Sequence, residues 1–382
     1  TRPNRRSSNS PLYLDLKMKQ TCIVLILFCI AVQATWLDLG QRLIDEEIRL
    51  RGPDFDPDIV HIPEEDIKPT LDCYDVNMTT GQFQICEKSE KGLLVAIAQG
   101  INAAVYTCKR DFENRQWNCT DPFGNAFTAG SRQAAYVRSL VGVAVTYSIT
   151  IACSYGSLPL TCGCLSRSKL PPFGNRTYEW GECSHDVSRA ATLASNFIIA
   201  GEEGEDEETS ADDRLNSLAN VHNYEAGTKI ATTAVKVVCR CLGGTLSCAT
   251  KVCHRELRQF SHIGSTLVDK YNKAVQIKLS KNGERLKSAD STTGTFEDTD
   301  LVYANSASLC EPNSAFGYDG IHGRECISDD PSAPNYCPSF CCGYGYFSYI
   351  EEKKRSCRCK LKCCFELICD VCIVERTKYR CK

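Results

Sequence analysis

Histidine is scarce in this sequence, with six in 382 residues against 26 cysteines. Cysteine-rich metal sites recruit histidine or repeat Cys-x-x-Cys at a fixed spacing. Cys369-x-x-Cys372 and the scattered Cys-x-Cys pairs do neither, so no metal is expected. Nothing around Cys369 resembles a strand-to-helix context, which argues against a thiol oxidoreductase. Catalytic signatures are missing too: no Gly-x-Ser-x-Gly, no His-Glu-x-x-His and no phosphate loop. No pair of carboxylates stands out as acid and base, and an enzyme is not expected. A general excess of positive charge is also lacking, since the net charge is −3, and this excludes a generally basic nucleic-acid binder. Long apolar runs are absent as well. The stretch Cys22 to Val32 is too short to span a bilayer. The uncharged stretch Ser139 to Ser166 is interrupted by Thr146, Ser148, Thr150, Gly156 and Pro159.

What is present is cysteine in an exported chain. Met18-Lys19, the apolar run Cys22 to Val32 and the small residues of Val32-Gln33-Ala34 read as a secretory signal. The mature chain is expected to start near Thr35, with residues 1–34 as upstream segment and signal peptide. Removing those residues, five basic and one acidic, takes the net charge from −3 to −7. Export places the chain where thiols oxidise. Discounting Cys22 and Cys29 leaves 24 cysteines, enough for twelve bridges.

Residues 35–72 read as a flexible arm, charged and punctuated by Pro53, Pro57, Pro63 and Pro69. Residues 73–280 read as a helical domain. Leu93, Ile97, Ile101, Ala104 and Cys108 recur at helical spacing, and Val187, Ala191, Ala194 and Ile198 do so again. The segment Val137 to Ile149 is apolar on most sides, which predicts a helix at the domain centre. A last helix is predicted over 256–279, through Phe260, Leu267, Tyr271 and Val275. His222 reads as a tie from its helix to that helix's neighbours, since no partner nucleophile is evident. Residues 281–309, polar and rich in Ser, Thr and Gly, read as a linker. Residues 310–382 hold twelve cysteines and strand-like runs such as Tyr344 to Ile350. So small a core needs covalent staples. The fold class is therefore α+β and disulfide-rich. Asn77, Asn118 and Asn175 each begin an Asn-x-Thr glycan acceptor. Charge is uneven: Glu202 to Glu208 is acidic, while Lys353, Lys354, Arg355, Arg358, Lys360 and Lys362 form a basic run suited to a sulfated glycan.

The densest chemistry lies at Cys239-Arg240-Cys241-Leu242-Gly243-Gly244-Thr245-Leu246-Ser247-Cys248, closed by Cys253. Pairing the outer two and the inner two cysteines would cross-link a short hairpin twice. Its tip carries two glycines, which accept positive φ freely, and two hydroxyls. Thr245 and Ser247 either hydrogen-bond their own turn or stand ready for modification.

This pattern resembles the Wnt signature Cys-Lys-Cys-His-Gly-Val-Ser-Gly-Ser-Cys. Further resemblances follow in order: Arg115-Gln116-Trp117-Asn118-Cys119, with Gln116 where arginine is usual; Cys162-Gly163-Cys164; Trp180-Gly181-Glu182-Cys183; His222-Asn223-Tyr224-Glu225-Ala226-Gly227; Cys341-Cys342-Gly343-Tyr344-Gly345-Tyr346; and the terminal Cys381-Lys382. The resemblance runs from Cys73 to Lys382. It implies the pairs Cys73–Cys86, Cys108–Cys119, Cys153–Cys162, Cys164–Cys183, Cys239–Cys253 and Cys241–Cys248. In the carboxyl domain it implies Cys310–Cys342, Cys326–Cys337, Cys341–Cys381, Cys357–Cys372, Cys359–Cys369 and the vicinal Cys363–Cys364.

The same resemblance implies a function. The helical domain would carry a cystine-linked hairpin digit, and residues 310–382 a second, disulfide-rich one. Together they would hold the cysteine-rich domain of a Frizzled receptor. A monounsaturated fatty acyl ester would sit at Thr245, where the family has serine, with Ser247 as the alternative. Receptor contacts would come from Gly243, Gly244, Thr245 and Leu246 and, in the second digit, from Leu361 and Phe365. Porcupine and Wntless would serve export. A lipoprotein-receptor-related or receptor-tyrosine-kinase co-receptor and heparan sulfate would complete the partners, in the extracellular space and matrix. No cofactor is implied beyond the acyl chain and N-glycans. The alternative is an unacylated matrix-associated or antagonist protein on the same scaffold.

Overall fold

The computed structural model describes residues 36–39, 72–170, 178–202, 210–242, 250–290, 295–362 and 366–382. Among them, the helices before the cysteine-rich end are α1 (Thr80–Lys88), α2 (Lys91–Phe112), α3 (Asn125–Thr128), α4 (Arg132–Tyr155), α5 (Val187–Glu202), α6 (Ala211–Thr233) and α7 (Phe260–Asn272). Helix α4 is the axis. Ser131 caps its start by accepting from the Ala134 amide, and Gly156 ends it at φ 78°. It packs against α2, α5, α6 and α7. Nearly every residue from Gln133 to Cys153 is buried. By length and composition this helix could cross a membrane, but its burial makes it the core of the helical unit.

Close helix crossings explain the glycines. A Cβ on Gly227 of α6 would stand 1.9 Å from the Ser139 carbonyl oxygen of α4, and one on Gly142 would stand 2.4 Å from that of Tyr224. The Ser139 hydroxyl donates to the Asn223 carbonyl across the same seam (2.8 Å). Asn223 then turns its amide to Val302, donating to the carbonyl at 2.8 Å and accepting from the N–H at 2.9 Å. His222 Nε2 lies 2.8 Å from the Asp300 carbonyl, a tie of the kind expected for it.

Three sequence expectations are revised. The arm predicted over 35–72 is docked at its start: Trp36, Leu37 and Leu39 are buried, and the Trp36 ring meets Phe197 edge-on at 5.6 Å. Residues 40–71 lie outside the described residues. The last helix stops at Asn272, and Val275 belongs to a strand. Segment 281–309 is no simple linker. β4 (Val275–Leu279) pairs antiparallel with β5 (Leu286–Ser288) and parallel with β6 (Val302–Tyr303). Leu301 and Val302 are buried completely, so two apolar residues tie a polar stretch to α6.

Beyond Cys310 the chain keeps its own small core of Ile321, Phe340, Cys326, Cys337, Cys341 and Cys381. It includes β7 (Glu325–Cys326), α8 (Cys337–Phe340), β8 (Tyr346–Lys362) and β9 (Glu366–Cys381), and β9 pairs with both β7 and β8. The ribbon β8/β9 is far longer than the run Tyr344 to Ile350 suggested, because its distal part is charged rather than alternately apolar.

Candidate functional site: two stapled hairpins

The first hairpin is β2 (Val235–Leu242) against β3 (Thr250–Leu257), with β1 (Tyr178–Trp180) parallel to β3 on the far side. Cys239 and Cys253 face each other in register and are bridged. Cys241, two residues nearer the tip, is disulfide-bonded as well. The tip residues Gly243, Gly244, Thr245, Leu246, Ser247 and Cys248 lie outside the described residues.

The root of this hairpin holds a charged cluster that sequence reading missed. The buried His254 ring lies between two carboxylates. Its Nε2 is 3.3 Å from Glu256, and its Nδ1 is 3.2 Å from Glu182, near enough for an ion pair but not aligned as a hydrogen bond. Glu256 also pairs with Lys236 at 2.9 Å. Its carboxyl sits below the usual range: burial opposes ionisation, but Lys236 and His254 outweigh it. Neighbouring His185 is pushed down by burial, against the pull of Glu256, and its Nδ1 accepts from the Leu257 amide at 3.2 Å. Gly181 completes the root, since a Cβ there would collide with Val252 at 2.2 Å. Glu182 and His185 come from one segment of the chain and Lys236, His254 and Glu256 from another, a meeting that no local pattern could signal.

The second hairpin is the ribbon β8/β9. Bridges Cys357–Cys372 and Cys359–Cys369 staple its outer half, with a bulge between Cys357 and Lys360 and Arg358 at φ 49°. Leu361 pairs with Leu367 near the end. Cys363, Cys364 and Phe365 lie outside the described residues, as does Asn175. The root is pinned by Cys341–Cys381 and by Glu325. That carboxylate accepts from Tyr349 (2.7 Å), Lys378 (3.1 Å) and Arg380 (3.2 Å). These three donors hold its pKa down at about 2. Lys378 and Arg380 are thus engaged at the root, while Lys353, Lys354, Arg355, Arg358 and Lys360 stay exposed along β8. By register, Ile350, Ile373 and Val371 share one face of the ribbon, and Lys353, Arg355 and Arg376 the other.

Remaining bridges with both partners described are Cys73–Cys86, Cys108–Cys119, Cys153–Cys162, Cys164–Cys183, Cys310–Cys342 and Cys326–Cys337. Each is a pair that the resemblance implies. The sulfurs of Cys326, Cys341 and Cys381 gather in one place, but as two packed disulfides rather than ligands. Asn77 and Asn118 are both exposed.

The profile of the Wnt family matches residues 75–382. Protein Wnt-5b of Xenopus laevis is 30% identical over 311 residues, spanning 80% of this chain and 85% of that protein. Protein Wnt-2 of Drosophila melanogaster is 30% identical over 328 residues, 80% of this chain and 90% of that one. Among solved structures, the human WLS complex with WNT8A superposes with a TM-score of 0.55 at 24% identity, covering 79% of this chain and 98% of that chain.

Proposed function

The chain belongs to the Wnt family, and from that premise we propose that it is a secreted ligand whose two hairpins hold the cysteine-rich domain of a Frizzled receptor. One observation carries this reading: two disulfide-stapled β-ribbons rise from two separate cores, each rigid enough to present a tip. A hairpin of two strands is marginal in water on its own; β1 and β7 flank the two ribbons for only 3 and 2 residues, so the bridges brace the remaining length.

Thr245 is the attachment point for a monounsaturated fatty acyl chain, with Ser247 as the alternative. At ~0.8 kcal/mol per CH₂, sixteen carbons contribute on the order of 10 kcal/mol gross to an apolar groove. That makes the lipid the principal anchor. Porcupine attaches it, and Wntless carries the product outward; the fold likeness to WNT8A bound to WLS supports the carrier. The exposed cations of β8 suit heparan sulfate, and a lipoprotein-receptor-related or receptor-tyrosine-kinase co-receptor completes the signalling complex. Glycans are placed on Asn77, Asn118 and Asn175.

Mass spectrometry of the peptide spanning Cys241 to Cys248 tests the lipid. An increment of one fatty acyl ester on Thr245, lost in Thr245→Val together with receptor binding, is the expected result. A second reading follows from threonine, a secondary alcohol, standing where the family has serine: an unacylated matrix-associated or antagonist protein. An unmodified peptide from active, secreted protein establishes that one.

A further inference from the structure

We propose that the first sugar of the Asn118 glycan occupies the cleft between the segment Gln116 to Ala126 and the segment Leu309 to Arg324 and acts as a wedge holding the two together. The inference rests on the reading of Asn118 as a glycan acceptor. Its evidence is the cleft itself, of about 310 Å³, which has Asn118 in its own lining. One wall is the segment Trp117, Asn118 and Thr120 with Asp121. The other belongs to Tyr318, Asp319 and Arg324. This is the small end of the range for ligand sites, roughly 300–1,000 Å³, and suits one or two sugar rings.

The acceptor is aimed rather than loose. Cys119, the middle residue of Asn118-Cys119-Thr120, is fully buried, bridged to Cys108 and held at φ 53°. Left-handed backbone is uncommon for a non-glycine residue and persists where its surroundings impose it. Thr120 donates its hydroxyl to Asn118 Oδ1 at 2.5 Å. The carboxamide is thereby oriented, and Nδ2, the atom that carries sugar, is its other branch. The lining chemistry matches N-acetylglucosamine. Its acetamide and hydroxyls need donors and acceptors, which Asp121, Asp319 and Arg324 supply, and its C–H face needs apolar surface, which Trp117, Leu309 and Tyr318 supply.

Polar contacts fasten the seam beside the cleft, next to the packing of Phe316 and Tyr318 on the helical core. Arg324 donates to the carbonyls of Gln116 and Arg115, the latter at 2.7 Å, and Gln116 returns a hydrogen bond to the Phe340 carbonyl at 3.0 Å. A sugar filling the adjoining space adds contacts to both walls at once and excludes water from these bonds.

The experiment uses full-length protein from cells that build only high-mannose glycans, with Asn77→Gln and Asn175→Gln leaving Asn118 as the remaining acceptor. Endoglycosidase H trims the glycan to one sugar, and Thr120→Ala removes it while keeping Asn118. The expected result is that one sugar suffices. The trimmed protein melts like the intact one, whereas bare protein melts roughly 2 °C or more lower, and its amides from Gly317 to Arg324 exchange several-fold faster. Should Thr120→Ala protein fail to fold, removal of the whole glycan from folded protein with an amidase, which leaves aspartate at position 118, gives the bare protein, compared with one-sugar protein at equal salt. Equal melting and exchange for one-sugar and bare protein overturn the wedge. A peptide map showing Asn118 unmodified fails differently: it removes the glycosylation reading, and the wedge with it.

Discussion

Gly227 shows how much a single hydrogen in place of a methyl can matter. Helices α4 and α6 touch there backbone to backbone, with the missing Cβ only 1.9 Å from the Ser139 carbonyl. Gly227→Ala must push the helices apart or bend one of them, at a cost of about 1–3 kcal/mol for overpacking. Equilibrium unfolding by denaturant should show a lowered midpoint with an unchanged slope. Gly283, where a Cβ would meet nothing within 4 Å, is a contrasting site, although its φ of 71° also disfavours a side chain. Residues of the motif around Gly227 are legible in the sequence as a landmark. Their role is not, because Ser139 lies far away along the chain and enters the contact only through the crossing of two helices.

At the scale of elements, each hairpin depends on a different kind of fastening. For the first, losing the Cys239–Cys253 bridge by a double serine substitution frees a loop of 14 residues, worth about 3 kcal/mol in the chain-entropy account. Amide exchange along β2 and β3 should accelerate strongly while α4 stays protected. For the second, the root is electrostatic. The folded pKa of Glu325, about 2, lies below the unfolded carboxylate value. Its contribution is therefore complete above the unfolded value and is lost as pH falls through the folded one. The β7–β9 pairing of Glu325 with Arg380 should loosen between about pH 4 and pH 2. Glu325→Gln should show the loosened exchange pattern already at neutral pH and lose that acid dependence. The effect is modest, because Glu325, Lys378 and Arg380 are all partly solvated.

At the scale of the molecule, the chain beyond Cys310 meets the helical core through the rings of Phe316 and Tyr318 and through polar contacts. Tyr318, from the cysteine-rich half, donates to Gln133 at 2.7 Å, and Gln133 donates to Tyr271 at 3.1 Å. Burial pushes the Tyr318 phenol up to about 12, so the donating proton is retained throughout the physiological range. Arg324 is another fastening. Arg324→Ala strips the donors from the Arg115 and Gln116 carbonyls and should separate the single unfolding transition into two by calorimetry, with the larger helical unit melting later. A single unshifted transition would show that packing alone couples the halves.

The sequence by itself determined the covalent and periodic features. Export and abundant cysteine dictated a cross-linked chain, the repeat of Leu93, Ile97 and Ile101 dictated an amphipathic helix, and the uncharged segment after Arg138 dictated a buried one. Cysteine order, through family resemblance, extended this to the bridges and the two digits. Tertiary structure alone decided what joins distant residues. It placed His254 between Glu182 and Glu256, turned part of an apparent linker into strands through Leu301 and Val302, lengthened the charged ribbon β8/β9, and set Asn118 at the seam of two cores. Periodicity reports only which side of an element is apolar, whereas ion pairs, strands made of charged residues and clefts depend on which elements the folded chain brings together.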